Sequence, residues 1–228
     1  LPASLNLAPL FLNMMAVALA TAVMLVFFRL GNPHLRGVGT WALARLALAA
    51  GAAVHLVGIE PELRLLFLPG FLLIYLAFLL DYVGHCRFLG RSTGAWPGLL
   101  VGTVTIIMLM VIATAYGPLI GIILSLSMLA QILLITPTLL LLLRHRDPAL
   151  RGPTLAVALP YLAWVIMPVA RLILFSANQF QLGIDNGAVG PALVLGTTGL
   201  ILQAIGMGWM IWTRTRQKRA AASTSLST

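Results

Sequence analysis

Twelve of the fourteen basic residues fall in four clusters, and long apolar runs separate each cluster from the next. The clusters are Arg29, Arg36 and Arg45; Arg87 and Arg91; Arg144, Arg146 and Arg151; and Arg214, Arg216, Lys218 and Arg219. Between them lie stretches of Leu, Ile, Val, Ala, Met and Gly with room for about 20 apolar residues, the length that crosses a bilayer as a helix. Glu60, Glu62 and Asp185 sit in the gaps without basic clusters. An alternation of this kind dictates a polytopic membrane protein with one orientation.

Composition agrees. The chain is 61% hydrophobic and 8% charged, whereas a soluble domain carries roughly a quarter charged residues. The net charge of +9 does not point to nucleic acid, because the basic residues sit at the ends of apolar runs and not on one domain face. They fit the positive-inside rule and attraction to anionic headgroups. The lone Cys86 excludes an internal disulfide and a multi-cysteine metal site.

Hydropathy predicts an all-α bundle of seven transmembrane helices, at 8–28, 39–58, 62–84, 97–116, 119–143, 154–177 and 189–213. The fourth and fifth are split at Ala115-Tyr116-Gly117-Pro118, a turn signal. The opening residues carry no basic region before the apolar stretch, so they read as a first span with an outside N-terminus and not as a signal peptide. Seven spans then place the C-terminus in the cytoplasm. Residues 1–213 form the membrane domain, and 214–228 form a basic, then disordered, cytoplasmic tail. Only Arg64 falls on an expected outer loop, and only Arg171 lies within the sixth span away from its basic end.

Ionisable groups at membrane depth are expensive and mark functional candidates. Arg171 lies about 9 Å beyond the midpoint of the sixth span at a 1.5 Å rise per residue. It shares a helix face with Pro160, Trp164 and Pro168. With Trp164, His55, Glu60, Glu62, Asn178, Gln179 and Asp185 it outlines a candidate ligand site on the outer side. The competing reading has Arg171 snorkelling to headgroups or pairing with Glu60, Glu62 or Asp185. Toward the inner side, Asp81 is expected to pair with Arg45 or His85, as a structural clasp in preference to a proton relay. Gln131 and Gln203 fall near the midplane, where contact between their helices would allow a hydrogen bond worth about 0.6–2 kcal/mol.

No His-x-x-x-His motif, carboxylate pair, nucleophilic triad or phosphate loop occurs, so neither metal nor cofactor is implied and the reading is against an enzyme. The only lysine, Lys218, lies outside the spans, which excludes a retinal Schiff base. No Pro-Gln dipeptide occurs, against the seven-span sugar transporters.

The stretch GVGTWALARLALAAGAAVHLVGI at 37–59, with GHCRFLGR at 84–91, resembles the N-terminal multi-span membrane regions that precede the catalytic domain in some bacterial diguanylate cyclases and sensor kinases. The resemblance covers about residues 1–91 and rests on small hydrophobic motifs. It implies a bacterial inner-membrane input module that senses a small ligand or membrane cue and relays it to a cytoplasmic output domain or partner. The chain departs from that pattern in having no Gly-Gly-Asp/Glu-Glu-Phe signature and no kinase histidine box. The expected partners are the bilayer, a small ligand, a cytoplasmic signalling protein or domain and, as a homodimer, a second copy. The alternative is a small transporter with a midplane site, suggested by the proline-broken sixth span and the two glutamines.

Overall fold

The computed structural model describes residues 8–58, 66–115, 120–176 and 189–225. Among these residues there are seven α-helices: α1 (Ala8–Gly31), α2 (Val38–Val57), α3 (Phe67–Phe88), α4 (Trp96–Ala115), α5 (Ile120–Leu143), α6 (Pro148–Ser176) and α7 (Val189–Ser225). All seven are long and apolar enough to cross a membrane. Strands would leave edge groups unsatisfied in lipid, whereas a helix satisfies its backbone internally.

Three helices depart from the hydropathy reading. α3 ends at Phe88 and not at 84, and Leu89 closes it through a backbone bond to the His85 carbonyl. α6 starts six residues early. Asp147 precedes Pro148 and accepts the Ala149 N–H at 3.0 Å, a side-chain cap followed by proline at the first helical position. The largest correction concerns the tail, expected to be disordered: α7 continues as helix to Ser225. Ala220, Ala221 and Ala222 are the strongest helix formers available and prolong the helix begun in the apolar span.

The helices form a ring. α1, α2, α3, α5, α6 and α7 each pack on the next, and α7 returns to α1, while α4 lies outside against α3 and α5. The connections α1–α2, α3–α4 and α5–α6 gather at one end, called here the basic end. There Arg214 pairs with Asp147 at 3.5 Å, Thr215 donates to Asn32 at 3.1 Å and Arg87 donates to Thr40 at 3.2 Å. Leu-rich flanks remain exposed on the outer surface, compatible with a membrane helix bundle.

Glycines set the tightest seam. A side chain at Gly84 would strike Trp41, and one at Gly70 would strike His55, while at Gly51 it would lie 2.8 Å from Ile74 Cγ1. Gly37, with φ +93°, lies against the backbone of Gly84 and Phe88. Gly37, at the N-cap of α2, and Gly51 within it are fourteen residues apart and face two glycines fourteen apart on the antiparallel α3, so the helices touch closely at both ends. Small residues permit this approach, which dispersion rewards in lipid. Gly206 plays the same part between α7 and α6, where an added Cβ would sit 2.5 Å from Val157 Cγ2 and 3.2 Å from its backbone nitrogen.

Gly84→Ala is expected to destabilise the bundle by about 1–3 kcal/mol through overpacking against the buried Trp41. Gly98→Ala, at a position with open space, should be neutral or slightly stabilising. Thermal unfolding in detergent compares the two, and equal effects would refute the tight seam. A second expectation concerns pH. Desolvation holds His145, between α5 and α6, below the ordinary histidine pKa, with Arg214 and Arg91 adding to the effect and Asp147 opposing it. The unfolded chain therefore takes up a proton first. Stability should fall as pH drops below the ordinary histidine value of 6.5, and His145→Gln should flatten that slope.

Candidate functional site

The described side-chain to side-chain hydrogen bonds buried between helices lie around Asp81. Arg45 on α2 reaches it from the neighbouring helix, with Nη2 at 2.8 Å from Oδ2 and 3.1 Å from Oδ1. Tyr161 on α6 donates its hydroxyl to Oδ2 at 2.9 Å from across the ring. Each of the three residues is 1% exposed. The carboxylate thus accepts bonds on both oxygens and ties three helices together. Burying one charge would be prohibitive, but a paired and hydrogen-bonded couple is tolerated.

One turn beyond Asp81, His85 is also fully buried. Its Nδ1 lies 2.7 Å from the Asp81 backbone carbonyl and 3.2 Å from Trp41 Nε1. One nitrogen cannot donate to the first and accept from the second at once. The short approach to a carbonyl oxygen requires a proton on Nδ1, so this nitrogen donates to Asp81 and Trp41 packs along the ring. His85 Nε2 then keeps a free lone pair, with no hydrogen-bond partner among the described residues. Aromatic rings enclose the group. Trp41 and Tyr161 lie 4.8 and 5.9 Å from the imidazole between centroids, and Trp164 stands edge-on to both Tyr161 and Phe78.

The expected Asp81–Arg45 pair is therefore present. His85 contacts Asp81 only through the backbone of its own helix turn, not as a side-chain ion pair. The outer site fares differently. Glu60, Glu62, Asn178, Gln179 and Asp185 lie outside the described residues, and Arg171 is described by its backbone alone, within α6. His55 is buried, with Nδ1 2.8 Å from the Gly51 carbonyl and its ring among Phe11, Phe67 and Phe71. The ring thus sits in an aromatic socket. Trp164, placed beside Arg171 by helical spacing, belongs to the aromatic shell of the Asp81 cluster.

The Gln131–Gln203 bond does not form. α5 and α7 make no contact among the described residues, and the fully buried Gln203 amide has no hydrogen-bond partner there. Gln203 shares the α7 face of Gly199 and Gly206, which meet Trp164 and Val157, so it looks toward α6. Sequence reasoning missed Tyr161 and Trp41 as members of the cluster. Trp41 is four residues before Arg45 and so lies on the same face. Tyr161 carried a signal too, as a hydroxyl that must find a partner in an apolar helix. Among the described residues no three His, Cys, Asp or Glu side chains gather as a metal site would need.

The cluster offers a neutralised charge pair, a phenol and a half-free imidazole, all buried. Its bonds tie α2, α3 and α6 together as a latch. Breaking it from one side should be severe. Arg45→Met alone is expected to cost about 3–5 kcal/mol by leaving Asp81 unpaired, while Arg45→Met with Asp81→Leu should recover most of that loss. Urea or thermal unfolding of both variants in detergent measures the coupling, and a double variant no better than the single would disprove the pairing. Compared with known proteins, the chain finds no matching family model, curated protein or solved structure.

Proposed function

We propose that the chain is a membrane-embedded signalling module, with its N-terminus outside and its basic end in the cytoplasm. In this reading the α2–α3–α6 latch holds a resting arrangement, and α7 carries the change to a cytoplasmic partner or output domain. The observation that carries it is the length of α7. Its 37 residues extend about 55 Å at 1.5 Å per residue, well beyond the ~30 Å hydrocarbon core. A helix continuous from the bundle interior into the basic segment transmits displacement without a joint.

The coupling into α7 has a stated route. Tyr161 ties α6 to the latch, and Gly206 sets α7 directly against the Val157 backbone of the same helix. A cue that moves α6 therefore moves α7, provided it binds one latch arrangement better than the other. In this reading the cue acts on the outer side, because Arg171 and the polar sequence at 176–188 are the charged and hydrogen-bonding residue types expected there. A small transporter is the second reading, supported by the unpartnered Gln203 amide beside the proline-bearing α6.

Two measurements test the proposal. A Ser223→Cys variant should react with a membrane-impermeant maleimide in inside-out vesicles and not in intact cells, and labelling of intact cells would reverse the orientation. The native Cys86 is buried and should stay silent. A fluorophore on the Ser223→Cys variant should then report a changed environment when Asp81→Asn weakens the latch. An unchanged spectrum alongside lowered thermal stability would leave the cluster purely structural and overturn the relay.

A further inference from the structure

α1 and α7 enclose a groove of about 390 Å³ on the lipid-facing side of the ring. Thr21, Met24 and Phe28 line it on one side, and Ile201, Ile205 and Gly208 on the other. The Thr21 hydroxyl is turned away from it electrostatically, spent on the Val17 carbonyl at 2.7 Å. The walls therefore present methyl, methylene and aromatic groups, the surface an alkyl chain matches.

The α7 wall continues toward the basic end along one helix face. Ile201, Ile205, Gly208, Trp212 and Arg216 follow one another at steps of four, three, four and four residues. Arg216 places its guanidinium 4.0 Å over the exposed Trp212 ring, and it meets no carboxylate among the described residues. Its neighbour Arg214, by contrast, is engaged with Asp147 and Gln217. From Gly208 to Arg216 the helix rises about 12 Å, enough to leave the hydrocarbon core and enter the headgroup layer. The Thr215–Asn32 hydrogen bond joins α7 to α1 at that level and holds the two walls in register.

We propose that this face is a binding site for one anionic phospholipid, with an alkyl chain in the α1–α7 groove and its phosphate held by Arg216 above Trp212. Apolar walls select the chain, and the guanidinium, already oriented by the indole, selects negative charge over a zwitterion. A guanidinium stacked on Trp212, on the same α7 face as the apolar groove, suits a phospholipid headgroup and no soluble anion, because the groove supplies the other half of the contact. The inference stands independently of the signalling reading.

Native mass spectrometry of the full chain, released from micelles titrated with phosphatidylglycerol or phosphatidylcholine of identical acyl chains, tests it. Wild type should retain one phosphatidylglycerol with about a fivefold preference, the worth of one basic contact at an anionic surface. Arg216→Gln should abolish the preference. Gly208→Leu, whose Cβ would lie 3.9 Å from the Phe28 ring and project into open groove, should reduce retention of both lipids. Unchanged thermal unfolding of both variants establishes that they fold. Equal retention of the two lipids by wild type, or a preference that survives Arg216→Gln, overturns the site. So does a dimeric species that Gly208→Leu dissociates, since the groove would then seat a second copy.

Discussion

A buried carboxylate in a bundle of this kind has to be met by a cation within its own structure, and the arrangement of the helices follows from that requirement. Asp81 cannot face lipid, so α3 must turn it inward, and Arg45 fixes which face of α2 meets it. Tyr161 then decides where α6 stands, although α3 and α6 do not touch through their backbones. Three helices are oriented by one carboxylate, and the glycine seam between α2 and α3 brings the pair close enough to form.

The fold was largely legible because lipid imposes a simple rule. Runs of about 20 apolar residues become helices long enough to span a bilayer, and the charges between them mark the breaks. What hydropathy cannot see is the local chemistry of helix ends. Asp147-Pro148 starts α6 early by capping, and the alanines after Arg219 keep α7 helical where polarity alone suggested disorder. Charge is a mark of where a helix meets water, not of where it stops.

The candidate site was legible in part. Arg45 and Asp81 were readable as partners because two lone charges at similar depth must neutralise each other. Tyr161 and Trp41 were harder, since an aromatic residue in an apolar helix reads first as packing, and only the three-dimensional meeting of α2, α3 and α6 assigns it a polar task. Helical spacing grouped Trp164 with Arg171, but spacing specifies a face and not its neighbour. Gln131 and Gln203 fail for the same reason: similar depth brings two amides together only when their helices are adjacent, and α6 intervenes.

The opposed glycine pairs of α2 and α3 also bear on how the two helices come together. An arginine presented alone at the centre of a span is disfavoured by roughly 2.5–3.5 kcal/mol on insertion scales, and an aspartate similarly. Arg45 and Asp81 stand only 36 residues apart, on two helices whose glycines let them close face to face. The two helices can therefore close as one hairpin, with each charge neutralised as the pair forms. A bulkier residue in that seam would hold the helices apart while the hairpin assembles, so its effect would extend to the yield of folded chains as well as to the stability of the finished bundle.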